Sequence, residues 1–182
     1  VLQIRRSPGV KKYVHIVHAV GDIHTYKFYS FDYYDAVFCS GPGQAESLRR
    51  VEELRGTSHK DLPLLGCPYL DVYAARAEQV GVPEPRTILV APTWGRNGLL
   101  TRTGSLVPKL LASAGYHVIL RPHPQSFISD REVMERVAAD LQTCKNVEWD
   151  RNPDGFSSLS RASLMVSDVS GVIFDFAFVF LR

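Results

Sequence analysis

Apolar and polar positions alternate along this chain with two different periods, and each change of period marks an element. "YVHIVH" (13–18), "AVFCSG" (36–41), "TILVA" (87–91), "YHVIL" (116–120), "NVEW" (146–149) and "LMVS" (164–167) are short and apolar, several with β-branched residues. Such runs predict strands. The segments between them have helical spacing. "QAESLRRVEELRG" (44–56) and "YLDVYAARAEQVG" (69–81) join helix formers to a terminal glycine stop. "SLVPKLLASAG" (105–115) puts Leu106, Val107, Leu110, Leu111 and Ala114 on one face, with Pro108 tolerated in the first turn. "SDREVMERVAADL" (129–141) opens with capping-box spacing from Ser129 to Glu132. Its apolar stripe is Val133, Met134, Val137, Ala138 and Leu141. A short helix over 156–161 and a last one from about Ser170 complete the series. The apolar run "LPLLG" (62–66) fits neither period.

Apolar strands alternating with amphipathic helices predict parallel sheets covered on both faces. The expected fold class is therefore α/β, with Rossmann-like parallel sheets flanked by helices. "GVPEPRT", with Pro83 and Pro85, breaks the pattern. Two α/β units are expected, 1–82 and 86–182. The chain starts without Met and reads as a segment of a longer protein.

Composition narrows the partners. Lys and Arg number 21 against 19 acidic residues, a net charge of +2, and no basic-plus-aromatic pattern argues for nucleic acid. No run reaches the roughly 18–20 apolar residues of a membrane span. The longest, 171–181, is interrupted by Asp175. Arg5, Arg6, Lys11 and Lys12 stand without an acid among the first dozen residues. They suit an anionic membrane surface as well as a solvated loop. Cys39, Cys67 and Cys144 form no CxxC motif, so free thiols in a reducing compartment are expected.

The chemistry collects after the strands, where open parallel sheets bind ligands. His18, Gly21 and Asp22 follow the first strand, "PTWGRN" the third and "RPHP" the fourth; "SDVSG" follows the last. In "RPHP", Pro122 and Pro124 hold His123 on a stiff, non-helical segment beside Arg121. In "SDVSGVIFDF", Asp168 or Ser170 can cap the following helix, and Gly171 allows close approach to the backbone. A helix start with free N–H groups suits a phosphate, and Arg96 and Arg121 are expected nearby. His18 is the candidate general base, its ordinary pKa lying near working pH. His15, His59 and His117 read as structural, His24 is ambiguous, and "SGPGQ" (40–44) reads as a turn into a helix.

"APTW" with a nearby arginine, "RPHP" and "SDVSGVIFDF", in this order, resemble the CDP-glycerol glycerophosphotransferase (teichoic-acid polymerase) family. "HAVGD", "FDYYDAVFCSG" and "LLGCPYLDVY" extend the resemblance over roughly 13–181. Two departures stand out: Ala19 follows His18 where the family has glycine, and Gly171 replaces the second serine of a pair. The resemblance implies a GT-B fold, with two Rossmann-like domains facing a cleft. Residues 1–82 would be the C-terminal part of the acceptor-side domain. Residues 86–182 would be the donor-binding domain, cut short at its C-terminus. It implies transfer of a phosphoglycerol or related phosphopolyol unit from a CDP-activated donor to a polymeric or lipid-linked hydroxyl, releasing CMP. Peripheral contact with the inner face of the cell membrane would follow, and no metal or cofactor is implied. In that scheme His18 takes the acceptor's proton, while Arg121 and His123 contact the diphosphate. Ser170 and Gly171 hold a phosphate, Arg96 adds a cation, Asp168 orients its loop or caps its helix, and Asp175 has a structural partner or reaches toward the nucleotide. A GT-B glycosyltransferase of surface polysaccharide synthesis and a non-catalytic α/β binding module are the alternatives.

Overall fold

The structure is a computed structural model that describes residues 6–17 and 20–180. The chain divides into two compact units between Asp71 and Val72.

In the first unit, strand β1 (Val14–Ile16) pairs in parallel with β2 (Ala36–Phe38), Val14 opposite Ala36 and Ile16 opposite Phe38. Isolated parallel bridges, Ala36 to Asp61 and Cys39 to Leu64, place the "LPLLG" region along the other side of β2. Helix α1 (Pro42–Arg55) ends at Gly56, whose φ of +60° suits a residue without Cβ. The core gathers Val17, Ile23, Phe31, Val37, Cys39 and Leu48. In β1, Val14 and Ile16 are exposed, while His15 lies against the rings of Phe31 and Tyr34 at 5.3 and 5.0 Å. Glu52 is buried on α1. It accepts from Arg49 at 2.7 Å and from the Lys60 amide at 2.9 Å, and sits 3.0 Å from His59 Nδ1. These hydrogen bonds let a carboxylate stay inside, because a buried charge is tolerated only when paired.

Helix α2 (Pro68–Ala77) crosses the division between the units. The second unit holds four parallel strands: β3 (Thr87–Val90), β4 (His117–Leu120), β5 (Val147–Trp149) and β6 (Leu164–Val166). Their order is β5-β4-β3-β6. The chain thus builds outward from β3 to β5, then returns to the other side of β3, so strand order reverses between β3 and β6. Period-2 alternation shares the apolar runs between two faces. Leu89, Ala91 and Ile119 pack with Phe156, Leu159 and Phe176 on one side. Ile88, Val90, Val118 and Leu120 pack with Met134, Val137 and Leu141 on the other. The expected α/β class, with Rossmann-like parallel sheets flanked by helices, is the observed one.

Helices α3 (Leu99–Thr103), α4 (Leu106–Ser113), α5 (Ser126–Ser129) and α6 (Arg131–Leu141) lie between β3 and β5, and α7 (Phe156–Arg161) precedes β6. After β6 come α8 (Val172–Asp175) and a π-helical stretch, Phe176–Phe180.

Two helix expectations need correction. In α4, Leu106 and Leu110 face solvent, and the inward face is Pro108 with Leu111 and Ala112. A helix this apolar offers two candidate faces, and contact with the sheet chooses one. The Ser129–Glu132 capping box does not form. Residues 126–129 make their own turn, Ser129 Oγ accepts from Gln125 at 2.6 Å, and Asp130 occupies the N-cap with its side chain directed elsewhere. The three cysteines are free, as expected; burial pushes the Cys39 thiol up. Among the described residues, no helix is long and apolar enough to cross a membrane.

Candidate functional site

The carboxyl ends of β3, β4 and β6 lie side by side in one sheet, and strand order reverses between β3 and β6. Ligands of open α/β sheets occupy such a crevice. The segments here are 91–98, 121–125 and 167–171.

Two acidic side chains shape the 91–98 segment. Asp168 accepts from the Thr93 amide at 2.7 Å and from the Leu99 amide at 2.6 Å. It therefore orients the loop and satisfies an orphan N–H at the start of α3. Asp130 accepts from the Gly95 amide at 2.7 Å, which is where the missing cap went. Gly95 has φ of +86°, and its carbonyl accepts from Gly98 at 2.9 Å, closing the turn. A Cβ on buried Gly98 would come within 2.7 Å of the Thr93 carbonyl oxygen, so the loop is wound too tightly for any side chain there. Ser167 donates to the Ala91 carbonyl at 2.6 Å and ties β6 to the loop's start. Arg96 and Trp94 remain exposed on this pinned loop.

In the 121–125 segment, Arg121 is already engaged. Its guanidinium donates to Asp150, beyond β5, at 2.6 Å, and to the Pro153 carbonyl at 3.3 Å. It packs so closely that a Cβ on Gly155 would sit 3.1 Å from its Nε. Desolvation would raise the Asp150 carboxyl, but hydrogen bonds from Ser158, the Asn152 amide and Arg121 outweigh it and hold the group below its ordinary value. His123 is held by its own chain: Nδ1 accepts from the Gln125 amide at 3.0 Å. A backbone N–H can only donate, so Nδ1 is unprotonated, the ring is neutral and Nε2 carries the proton. Desolvation, which lowers the His123 pKa, acts in the same direction. The ring centroid lies 6.3 Å from that of Trp94, with planes tilted by 37°.

In the 167–171 segment, the Ser170 amide donates to the Asp168 carbonyl at 2.9 Å, and the Ser170 carbonyl accepts from Ile173 at 3.2 Å. Gly171 leads into α8 with open space where a Cβ would go. Asp175, on α8, is pushed up to about 6 by burial, and its Oδ1 is buried without a hydrogen-bond partner among the described residues. Along the outer side of β6 runs a cavity of about 510 Å³, bordered by Leu164, Met165, Ser167, Asp168, Ile173 and Phe176. That volume is in the range of small-molecule sites. Its walls are largely apolar, with Ser167 and Asp168 as polar members.

His18, the expected base, lies outside the described residues, as does Ala19. Later in the same sequence stretch, Asp22 accepts from the Ile23 amide at 2.6 Å and lies 3.4 Å from His24. His59 and His117 contact Glu52 and Glu148, each at 3.0 Å.

The structure thus groups the expected residues by pairs: Asp168 with the Arg96 loop, His123 with Trp94, and Arg121 with Asp150. Sequence reasoning missed Trp94, Asp130, Gly98, Asp150 and Gln44. Gln44 is buried; it accepts from the Ser40 amide at 2.8 Å and donates to the Gly21 carbonyl at 2.7 Å, joining the loops after β1 and β2. No local pattern marks these partners, since each acts on a residue 4 to 35 positions away. No protein-family model matches the chain, and comparison with curated proteins finds no significant match.

Proposed function

We propose that the chain is part of a transferase that moves a phosphoglycerol, or related phosphopolyol, unit from CDP-glycerol to a hydroxyl of a cell-wall or capsule polymer or lipid-linked acceptor. The observation that supports this reading is the convergence of "PTWGRN", "RPHP" and "SDVSG" at the carboxyl ends of β3, β4 and β6, beside the reversal of strand order. The three segments that carry the family resemblance come from distant parts of the sequence, yet they meet at the carboxyl ends of neighbouring strands, where open α/β sheets bind ligands.

In this reading the C-terminal unit takes the CDP end of the donor. His18 accepts the proton of the acceptor hydroxyl, whose oxygen forms a bond to the glycerol-bearing phosphorus. The bond from that phosphorus to the bridging oxygen breaks, and CMP leaves with the electron pair. Catalysis of such a step rests on positioning and on charge placed near the phosphoryl oxygens. Arg96, exposed on a loop pinned by Asp168 and Asp130, supplies the cation. Arg121, shared with Asp150, contributes less net charge than a free guanidinium and chiefly shapes the floor. Ser170 offers a hydroxyl to phosphate oxygens. An acceptor of this type sits at the inner face of a membrane.

The test is product identity. CMP release from CDP-glycerol, in the presence of a glycerol-phosphate-primed acceptor, is the expected result. His18→Ala abolishes it while leaving CDP binding within a few-fold, because a base acts on the acceptor and not on the donor. Release of a nucleoside diphosphate from a UDP-sugar, with none of CMP from CDP-glycerol, would overturn the reading in favour of a glycosyltransferase.

A further inference from the structure

Trp94 has an unusual combination of surroundings. Its side chain is exposed, at 46%, although the backbone on both sides is fixed. The Thr93 amide is held by Asp168 and the Gly95 amide by Asp130, carboxylates from two different elements. Gly98 seals the turn at a spacing that admits no side chain. An indole carries a large apolar surface, and here about half of it is presented to water by a rigid loop. Across from it stands His123, fixed by Pro122, by Pro124 and by the Gln125 amide on Nδ1. The two rings are 6.3 Å apart and tilted by 37°. They are therefore neither stacked on each other nor edge to face. Both lie at strand ends beside the crevice.

We propose that Trp94 and His123 form a platform for the planar heteroaromatic ring of a nucleotide, with the base stacked on the indole and the neutral His123 donating from Nε2 at its rim. The inference rests on the reading that the C-terminal unit takes a nucleotide donor, and it adds the part of the donor that these residues recognise. Three physical points carry it. Every base has a π-face, so an exposed indole held by a rigid loop is a stacking surface with little ordering entropy left to lose on binding. A neutral imidazole with its proton on Nε2 complements ring or carbonyl acceptors of a base. It is also a poorer partner for a diphosphate than an imidazolium. Finally, Arg121 is committed to Asp150, so the segment after β4 presents a flat ring where a cation was expected.

The experiment uses the 182-residue chain and intrinsic fluorescence, since Trp94 and Trp149 are its two tryptophans. CDP, UDP, ADP, ribose 5-phosphate and pyrophosphate are titrated in turn, into wild type and into Trp94→Ala, Trp94→Phe and His123→Ala. Trp94 and His123 are both exposed, and far-UV circular dichroism checks that each variant keeps its fold. We expect at least one nucleotide to quench Trp94 emission, with no response to ribose 5-phosphate or pyrophosphate. Trp94→Ala should weaken that nucleotide, followed by calorimetry, by roughly 5- to 150-fold, the range given by alanine substitution of base-stacking aromatics. Trp94→Phe should restore most of the affinity. His123→Ala should weaken nucleotides and leave pyrophosphate unaffected. If UDP or ADP binds through Trp94 and CDP does not, the platform stands and the CDP-glycerol reading falls. If CDP binds wild type and Trp94→Ala equally, the platform is overturned while that reading stands. If no nucleotide quenches, the platform is overturned.

Discussion

The guanidinium of Arg121 lies 2.6 Å from the carboxylate of Asp150, and the two side chains are only 15% and 4% exposed. This pair links the end of β4 to the end of β5 and fixes the floor under the proposed site. Asp150 also accepts from Ser158 and from the Asn152 amide, so one buried carboxylate orders three segments.

Removing one member of such a pair leaves the other charge buried alone, at a cost of about 3–5 kcal/mol. Asp150→Ala should therefore lower the unfolding free energy of the C-terminal unit on that scale. Urea denaturation followed by circular dichroism provides the measurement, and a loss below about 1 kcal/mol would show that the pair is ornamental. The depressed Asp150 pKa adds a pH signature. Its stabilisation is fully present above the unfolded value near 3.9 and is lost as pH falls through the lower folded value. Asp150→Ala should lose that acid-limb dependence.

Asp168 is expected to act on the Arg96 loop through geometry. Hydrogen bonds to a charged acceptor contribute roughly 1.5–3 kcal/mol each. Asp168→Ala breaks both, and amide exchange at Thr93 and Leu99 should accelerate together. Asp168→Asn keeps one carbonyl acceptor, so only one of those amides should lose most of its protection. Equal protection in all three proteins would remove Asp168 from this role.

Gly98→Ala tests the same loop from the inside. The added methyl meets the Thr93 carbonyl oxygen at 2.7 Å, so backbone has to move. Overpacking of this kind costs about 1–3 kcal/mol. The consequence should reach Trp94, with changed emission and weaker nucleotide quenching. Gly81→Ala, introduced where nothing lies within 4 Å, should do neither.

Asp175 gives the opposite pH sign to Asp150. Burial raises its folded pKa to about 6, above its ordinary 3.8, so the folded state holds the extra proton. The Asp175 contribution to stability should be highest below about pH 4, fall as pH rises to about 6, and then level off. Asp175→Asn cannot ionise. It should exceed wild type by about 1–2 kcal/mol at pH 8, a figure reduced for the partial solvent exposure of the group, and match it near pH 4. Thermal melts at the two pH values distinguish this from a pH-independent effect.

Period and composition by themselves determined the α/β class, because a strand buried on both faces must be apolar throughout and a covering helix must carry a stripe. They also marked the strand ends at Pro92, Arg121 and Ser167, since polar residues follow apolar runs there. Tertiary structure alone decided which charges are available. Arg121 and Asp150 are 29 residues apart, Asp130 and Gly95 35, and Asp168 and Thr93 75, so no local spacing records these pairings. The same contacts overrode two local signals: Asp130 was drawn to the Gly95 amide, and α4 rotated Pro108 inward. A local pattern reports what a residue can do. Only the folded neighbours settle which of its hydrogen bonds and charges are already taken, because an unpaired buried polar group costs more than a local preference contributes.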